Sequence, residues 1–457
     1  MYVTLRDRPA RAPLGPAARA SAGRGRVPSV VVTLGVVSLL TDISSEAVAA
    51  VLPIYLTAAL GLSTIAYGIV DGLLQGMSAL VRVGGGWAAD RGDRPKWVAL
   101  TGYGLSALTR GGLLLATGFA AVTALVAVDR VGKGIRTAPR DAMISAAADP
   151  DHVARAFGVH RMLDTIGAAL GPLLAFLILW AVPDGYRSVF VLSLGCAVLG
   201  VAVLGLLAPD ARPRRDRERA AAAAAADGTG SGRTGAGETG AGGATAVASR
   251  PVTAPVVLRH LADPRLRRLL LVAGALGLLT VGDGFVYLAL QTRDGFATTW
   301  FPLLYVGSNI VYLLLAIPVG RLADRAGRGR VLVAGHVALV GAYLCAGLQT
   351  GWAGATVAAL VLIGVFYAAT DGVLAAIAGR LVDPDARATA IASAQTVVAV
   401  ARMLASIGFG LLWHTVGRGP AMLAIAGLLV AVLPVCWWAL RPVDRAPSDV
   451  ALPLGRS

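Results

Sequence analysis

Two groups of ionisable residues sit at helical spacing inside otherwise apolar stretches. Asp42 and Glu46 lie four residues apart in "GVVSLLTDISSEAVAAVLPIY", so on a helix they share a face. Two carboxylates that close cannot both ionise cheaply in a low dielectric. Unless a cation intervenes, one is expected to hold a proton, which is what a proton carrier requires. The second group is "DRVGKGIRTAPRDA", residues 129–142. Here Asp129, Lys133, Arg136 and Arg140 follow one another by four, three and four residues and form one stripe, with Arg130 and Asp141 about 100° round from it. Such a cationic stripe suits a substrate bearing carboxylate or phosphate. Gly132, Gly134 and Pro139 are expected to interrupt or kink the helix that carries it.

The elements that must position these charges are membrane helices. Of the 457 residues 56% are hydrophobic and 15% charged, with a mean hydropathy of +0.70, which a water-soluble globule cannot accommodate. Apolar runs long enough to cross the hydrocarbon as helices recur at 29–59, 64–89, 96–117, 120–146, 155–182, 187–208, 268–292, 299–322, 330–349, 353–379, 387–415 and 419–440. The fold class expected is therefore all-α integral membrane, with twelve transmembrane helices. The net charge of +15 does not read as nucleic-acid binding, because the basic residues gather in alternate loops. By the positive-inside rule both termini and the long central loop face the cytoplasm, in a multi-pass protein of the cytoplasmic (inner) membrane.

Organisation follows from composition. Residues 1–28 and 441–457 read as cytoplasmic tails, 29–208 and 263–440 as two six-helix bundles, and 209–262 as a flexible linker rich in Ala, Gly, Ser and Thr. A short alanine helix near 218–226 is a lesser alternative. An internal repeat at an offset of 234 supports the division: "GGWAADRGDRPK" aligns with "GRLADRAGRGR", Asp90 on Asp324, and Asp149-Pro150 aligns with Asp383-Pro384. Parallel halves with a midplane site between them are a known transporter architecture.

These loops resemble the signature of the major facilitator superfamily, G-x-x-x-D-R-x-G-R. The second copy matches at Gly320, Asp324, Arg325, Gly327 and Arg328; the first keeps Gly86, Asp90, Arg91, Arg94 and Lys96, with its glycine displaced to Gly92 and Asp93 intervening. The resemblance implies a cytoplasmic gate at these residues, with Asp against a helix N-terminus and Arg on carboxylates or helix C-termini. Arg130, Lys133 and Gly134 are similar to that family's R-x-x-Q-G element on helix four, and "GAALGP", Gly167 to Pro172, to a drug/proton antiporter element on helix five. In the family, helices one, four, seven and ten line the cavity. That implies a coupling and substrate site of Asp42, Glu46, Arg130, Lys133 and Arg136, with Asp42 and Glu46 facing Arg130 and Lys133, joined by Asp283 and Asp371 from helices seven and ten.

An ionisable group at the centre of a membrane helix costs at least about 2.5 kcal/mol, so each is a functional candidate. Structural alternatives stand beside that reading. Arg130 could be a permanent ion pair with Asp42 or Glu46. Arg136, Arg140 and Asp141 could snorkel or close a gate. His160 and Asp164 share a face with Gly167 and Gly171, which favours a structural hydrogen bond, and Asp71, Arg82 and Arg110 are expected to pair within the bundle. His336 is expected to have a local partner, and Arg402 lies central on its helix.

Cys196, Cys345 and Cys436 fall in three different spans without a CxxC pair, and the five histidines are scattered, so neither disulfides nor a metal or other cofactor is expected. With no nucleophile–base constellation or P-loop, the chain does not read as an enzyme. The expected function is secondary active transport of a small molecule by alternating access, as a monomer, most simply proton-coupled efflux. The alternatives are proton-symport uptake of an anionic molecule and a non-transporting receptor or scaffold of the same fold.

Overall fold

The computed structural model describes residues 27–149, 152–210, 263–349, 354–382 and 386–444, and these form helices with no strand among them. Residues 1–26 and 445–457 of the tails, residues 211–262 of the linker with its alanine run, and residues 150–151, 350–353 and 383–385 lie outside the described residues. Helices are what hydrocarbon demands, because every backbone N–H and C=O must find its partner within the segment. The first set is α1 (Ser29–Ile54), α2 (Thr64–Gly92), α3 (Pro95–Leu115), α4 (Phe119–Ala147), α5 (Val153–Ala181) and α6 (Tyr186–Leu207). The second is α7 (Pro264–Leu278), α8 (Asp283–Asp294), α9 (Phe301–Ala326), α10 (Arg328–Gly347), α11 (Gly354–Thr370), α12 (Val373–Ala378), α13 (Arg387–Val416) and α14 (Arg418–Asp444).

Ten stretches are long and apolar enough to cross a membrane, with α7–α8 and α11–α12 each counted as one. Of the twelve spans expected, the other two correspond to α3 and α4. The reason for α4 is plain, since it carries six charged side chains between Asp129 and Asp141.

Contrary to the sequence expectation, neither the glycines nor Pro139 interrupt α4. The glycines instead permit close approach. A Cβ on Gly132 would lie 2.7 Å from the Gly102 carbonyl oxygen of α3, and one on Gly134 would lie 2.9 Å from the Ser78 carbonyl oxygen of α2. The true breaks lie elsewhere. Between α7 and α8 the chain unwinds at Leu279–Gly282, where the Tyr343 hydroxyl donates to the Leu279 carbonyl at 3.1 Å and accepts from the Val281 N–H at 2.8 Å. That bridge satisfies backbone groups which the lost helical turn would leave bare. Between α11 and α12 the turn at Asp371–Gly372 places Gly372 at φ 81°, a conformation that glycine adopts without strain.

Small residues set the packing. On α5, Cβ atoms at Gly167 and Gly171 would lie 2.5 Å from the Leu39 oxygen and 2.8 Å from the Ala47 nitrogen of α1. On α2, Gly68, Gly72 and Gly76 recur every four residues and face carbonyl oxygens of α13, those of Ser406, Met403 and Ala399, at 2.7, 2.8 and 2.9 Å from a built Cβ. This ladder joins the first set of helices to the second; α5 against α9 makes another such contact. At the end bearing residues 60–63, aromatic rings add to the seam. Tyr67 of α2 meets Phe285 of α8 at 4.6 Å between centroids, Phe285 meets Phe409 of α13 at 5.1 Å, and Phe176 of α5 meets Trp300 at 5.4 Å. This end is shut.

Gly167→Ala is expected to destabilise the protein by about 1–3 kcal/mol, because the new methyl meets backbone that cannot yield. Gly408→Ala has open space at its Cβ and is expected to leave stability unchanged or slightly raised. Thermal melting of both variants in detergent checks the pair.

Candidate functional site

Charged networks occupy the helix interfaces, and three of them hold most of the candidate residues. The first lies between α3 and α4. Asp129, 3% exposed, accepts an ion pair from Arg110 at 3.0 Å and another from Arg130 at 2.7 Å. Arg136, two turns further along the same face, lies 4.5 Å from the centroid of Tyr103 and donates to the Ser106 hydroxyl at 3.3 Å. Arg130 therefore does not pair with Asp42 or Glu46, as the sequence suggested, but with Asp129 on its own helix. Three buried arginines stand around one carboxylate, two of them paired with it, and Nε of Arg110, Nε of Arg130 and the Tyr103 hydroxyl have no hydrogen-bond partner among the described residues. Chemically the cluster braces α3 against α4 and leaves cationic hydrogen-bonding capacity unused.

The second network joins α1, α4 and α5. The carboxyl groups of Asp42 and Asp164 lie close together, and Lys133 and Glu46 lie within electrostatic reach of Asp42. Two carboxylates placed together in a low dielectric repel, and a proton on one of them or a neighbouring cation relieves that repulsion. Asp164 is also 3.2 Å from Arg161 and 4.0 Å from Arg140. Arg140 pairs with Asp141 at 3.0 Å and donates to the Ser38 hydroxyl at 3.1 Å, which in turn contacts His160 Nε2 at 2.9 Å. Gly167 and Gly171 let α1 and α5 approach closely enough for these short side chains to meet. Lys133 faces Asp42 and Glu46 and makes no salt bridge among the described residues. The sequence stripe thus divides, with Lys133 and Arg140 towards α1 and α5, and Asp129 and Arg136 towards α3.

The third network crosses between the two sets of helices. Asp283, the first residue of α8, accepts from the Tyr367 hydroxyl at 2.8 and 2.7 Å, and that hydroxyl accepts from Arg402 of α13 at 2.9 Å. Asp71 of α2, 5% exposed, accepts from the Ser406 hydroxyl of α13 at 2.6 Å and from Tyr67 at 3.4 Å. Asp371 stands apart at the α11–α12 turn, exposed, accepting from Tyr312 at 2.9 Å. His336 has the local partner expected of it, the Leu332 carbonyl at 2.8 Å.

Of the gate motif, Gly320 and Arg325 lie on α9, Gly327 at φ 104° turns into α10, and Asp324 pairs with Arg328 at 2.6 Å. Arg328 also donates to the Ala376 carbonyl of α12 at 3.1 Å, an arginine on a helix C-terminus. In the first copy Gly86, Asp90 and Arg91 lie on α2, their side chains outside the described residues, and Arg94 is exposed at the N-cap of α3. Lys96 there donates to the Gly205 and Ala208 carbonyls at the end of α6, at 2.9 and 2.6 Å.

Sequence reasoning passed over Asp164, Asp71 and Arg402 as parts of a site, and Tyr367 altogether. For Asp71 a signal existed, because the glycines at 68, 72 and 76 mark the face of α2 that packs most tightly. For Tyr367 there was none. Among the described residues no group of three or more His, Cys, Asp or Glu could hold a metal ion.

The family model described as Major Facilitator Superfamily matches residues 34–307 and 295–456. An uncharacterised MFS-type transporter of Methanocaldococcus jannaschii is 27% identical over 412 residues, 88% of this chain and 92% of its own. An uncharacterised protein of Mycobacterium tuberculosis is 34% identical over 178 residues, 39% of this chain and 42% of its own. Among solved structures, that of the nucleoside transporter NupG has a TM-score of 0.70 at 15% identity, covering 90% of this chain and 99% of its own. That of a bacterial homologue of the lysosomal transporter Spinster, inward-facing and unoccupied, has a TM-score of 0.66 at 16% identity, covering 92% and 98%. At these identities the likeness is one of fold.

Removing Asp129 alone leaves two buried arginines, Arg110 and Arg130, without their shared carboxylate. Asp129→Asn is expected to cost roughly 3–5 kcal/mol, the cost of breaking a buried pair on one side. The check is the yield and melting temperature of the purified variant against Asp129→Glu, which keeps the charge and is expected to recover part of the loss.

Proposed function

Since the chain belongs to the major facilitator superfamily, we propose that it is a secondary active transporter which exports a small solute across the cytoplasmic membrane in exchange for protons. In this reading twelve membrane crossings form two six-helix halves that rock about a midplane site. The end carrying residues 60–63 faces outward, since its loops are poor in basic residues. With that end shut, this arrangement is not the outward-open one.

The observation that carries the coupling is the Asp42–Asp164 carboxyl pair with Lys133 beside it. While a proton is shared, α1 and α5 are held together and the pair bears one negative charge. Once the proton leaves, two like charges lie in contact and draw on Lys133 and Arg140. A solute that competes with the proton for these carboxylates drives an exchange, and that is antiport. The arginines that would favour an anion are engaged elsewhere, Arg130 with Asp129 of its own helix and Arg136 with Tyr103 and Ser106 of α3, which supports this reading.

A second reading, uptake of an anionic solute by proton symport, is favoured by the surplus of arginine around Asp129. Protonating the carboxylates would then release cations to the solute.

Everted vesicles with a respiration-driven pH gradient and a quenched dye distinguish the readings when challenged with cationic, neutral and anionic compounds. Antiport is expected to appear as recovery of fluorescence with one compound class, slowed at least about tenfold in Asp42→Asn and Asp164→Asn. The less directly involved Glu46→Gln is expected to be affected less. Silence toward every compound by folded protein, with proton-dependent accumulation of an anion by intact cells, would replace export with symport.

A further inference from the structure

Asp71 is a buried carboxylate that the coupling described above does not use. It belongs to α2, yet what holds it belongs largely to the other half. Ser406 of α13 donates to its Oδ2 at 2.6 Å. Its carboxylate rests against the unwound Leu279–Gly282 turn so closely that a Cβ on Gly282 would come 2.0 Å from Oδ2. Only glycine fits there. Around this seat stand Tyr67 from its own helix and Asp283, at the start of α8.

One turn along α13 from Ser406 is Arg402, within electrostatic reach of both Asp71 and Asp283. Its hydrogen bonding is incomplete: one nitrogen donates to Tyr367, and Nε is buried without a partner. No carboxylate lies within salt-bridge distance of it among the described residues. A guanidinium so placed has capacity for a carboxylate that it does not hold in this arrangement.

The α2–α13 ladder runs from Gly68 against Ser406 and Gly410, through Gly72 against Met403, to Gly76 against Ala399. If the two halves rock about their middle, the contacts at the shut end separate first and those nearer the middle least. Ser406 lies towards the shut end and Arg402 towards the middle. We propose that Asp71 is a two-position switch, held by Ser406 while the outer end is shut and transferred to Arg402, one helical turn away on α13, when that end opens. Packed elements with two discrete arrangements are the physical basis of such transitions, and one-turn exchanges between helices are among their known forms. Asp71 is thus a positioning residue that gives each end state its own partner.

The proposal rests on alternating access, and its test reads conformation and not transport. Spin labels at Thr117→Cys and Gln349→Cys, exposed positions in loops of opposite halves at the shut end, report its opening in protein whose Cys196, Cys345 and Cys436 are replaced by alanine. Ser406→Ala removes the partner of the shut state and is expected to raise the ratio of long to short distances about fivefold or more. Arg402→Gln removes the partner of the open state and is expected to lower it by a similar factor. Asp71→Asn, which can still accept from Ser406 but forms no ion pair, is expected to follow Arg402→Gln, and the Asp71→Asn/Arg402→Gln double variant to go no further than either alone. An unchanged ratio in Arg402→Gln, or additive effects in the double variant, overturns the exchange while leaving alternating access standing. A single distance population in every variant overturns both.

Discussion

Charge buried where water cannot follow must be answered by the protein itself, and much of this molecule is arranged around that requirement. A carboxylate or guanidinium inside a helical bundle has only the side chains and exposed backbone of adjoining helices to satisfy it. Asp129 shows the consequence most directly. Its two arginines come from its own helix and from α3, and the helices can bring them together because Gly102 and Gly132 let the backbones nearly touch. Close packing and charge pairing are here one design: without the glycines the side chains could not reach, and without the pairing the charges could not stay.

The same logic separates the networks by what they can do. The Asp42–Asp164 contact lies within the first set of helices, behind Gly167 and Gly171, so it can persist while the two sets move against each other. In the antiport proposed, its state depends on a proton. The Asp71–Ser406 contact crosses between the sets, so it depends on their relative position. A transporter needs both kinds of group, one that records occupancy and one that distinguishes the open ends, and linkage between them must pass through helices that touch both. Tyr305 is placed for that, being within electrostatic reach of Glu46, Asp71, Asp283 and Tyr367.

Most of the helical architecture could be read from apolar runs, because the length of a membrane crossing leaves few alternatives. The breaks could not. Leu279–Gly282 and Asp371–Gly372 interrupt sequences as apolar as any other, and what permits the first is a distant hydroxyl, that of Tyr343. The charged stripe on α4 was legible as a stripe, since helical spacing places Asp129, Lys133, Arg136 and Arg140 along one side. Its division between two neighbours was not, because spacing gives a direction round one helix and says nothing of which helix lies there. Asp71 was hidden for a related reason, its partners being 211 residues away at Gly282 and 335 at Ser406.

Glycine spacing carries more of that missing information than charge spacing does. Wherever two glycines four residues apart face a neighbouring backbone, the short side chains flanking them are brought within hydrogen-bonding distance of the neighbour. On α5 the glycines at 167 and 171 lie along the face that holds Asp164 and His160 against Asp42 and Ser38. On α2 the glycines at 68, 72 and 76 hold Asp71 against Ser406. A carboxylate beside such a ladder is thereby committed to a partner on the facing helix, whereas an arginine, with its long stem, can reach past several. The acidic residues therefore record which helices touch, and the arginines record only which region is short of negative charge.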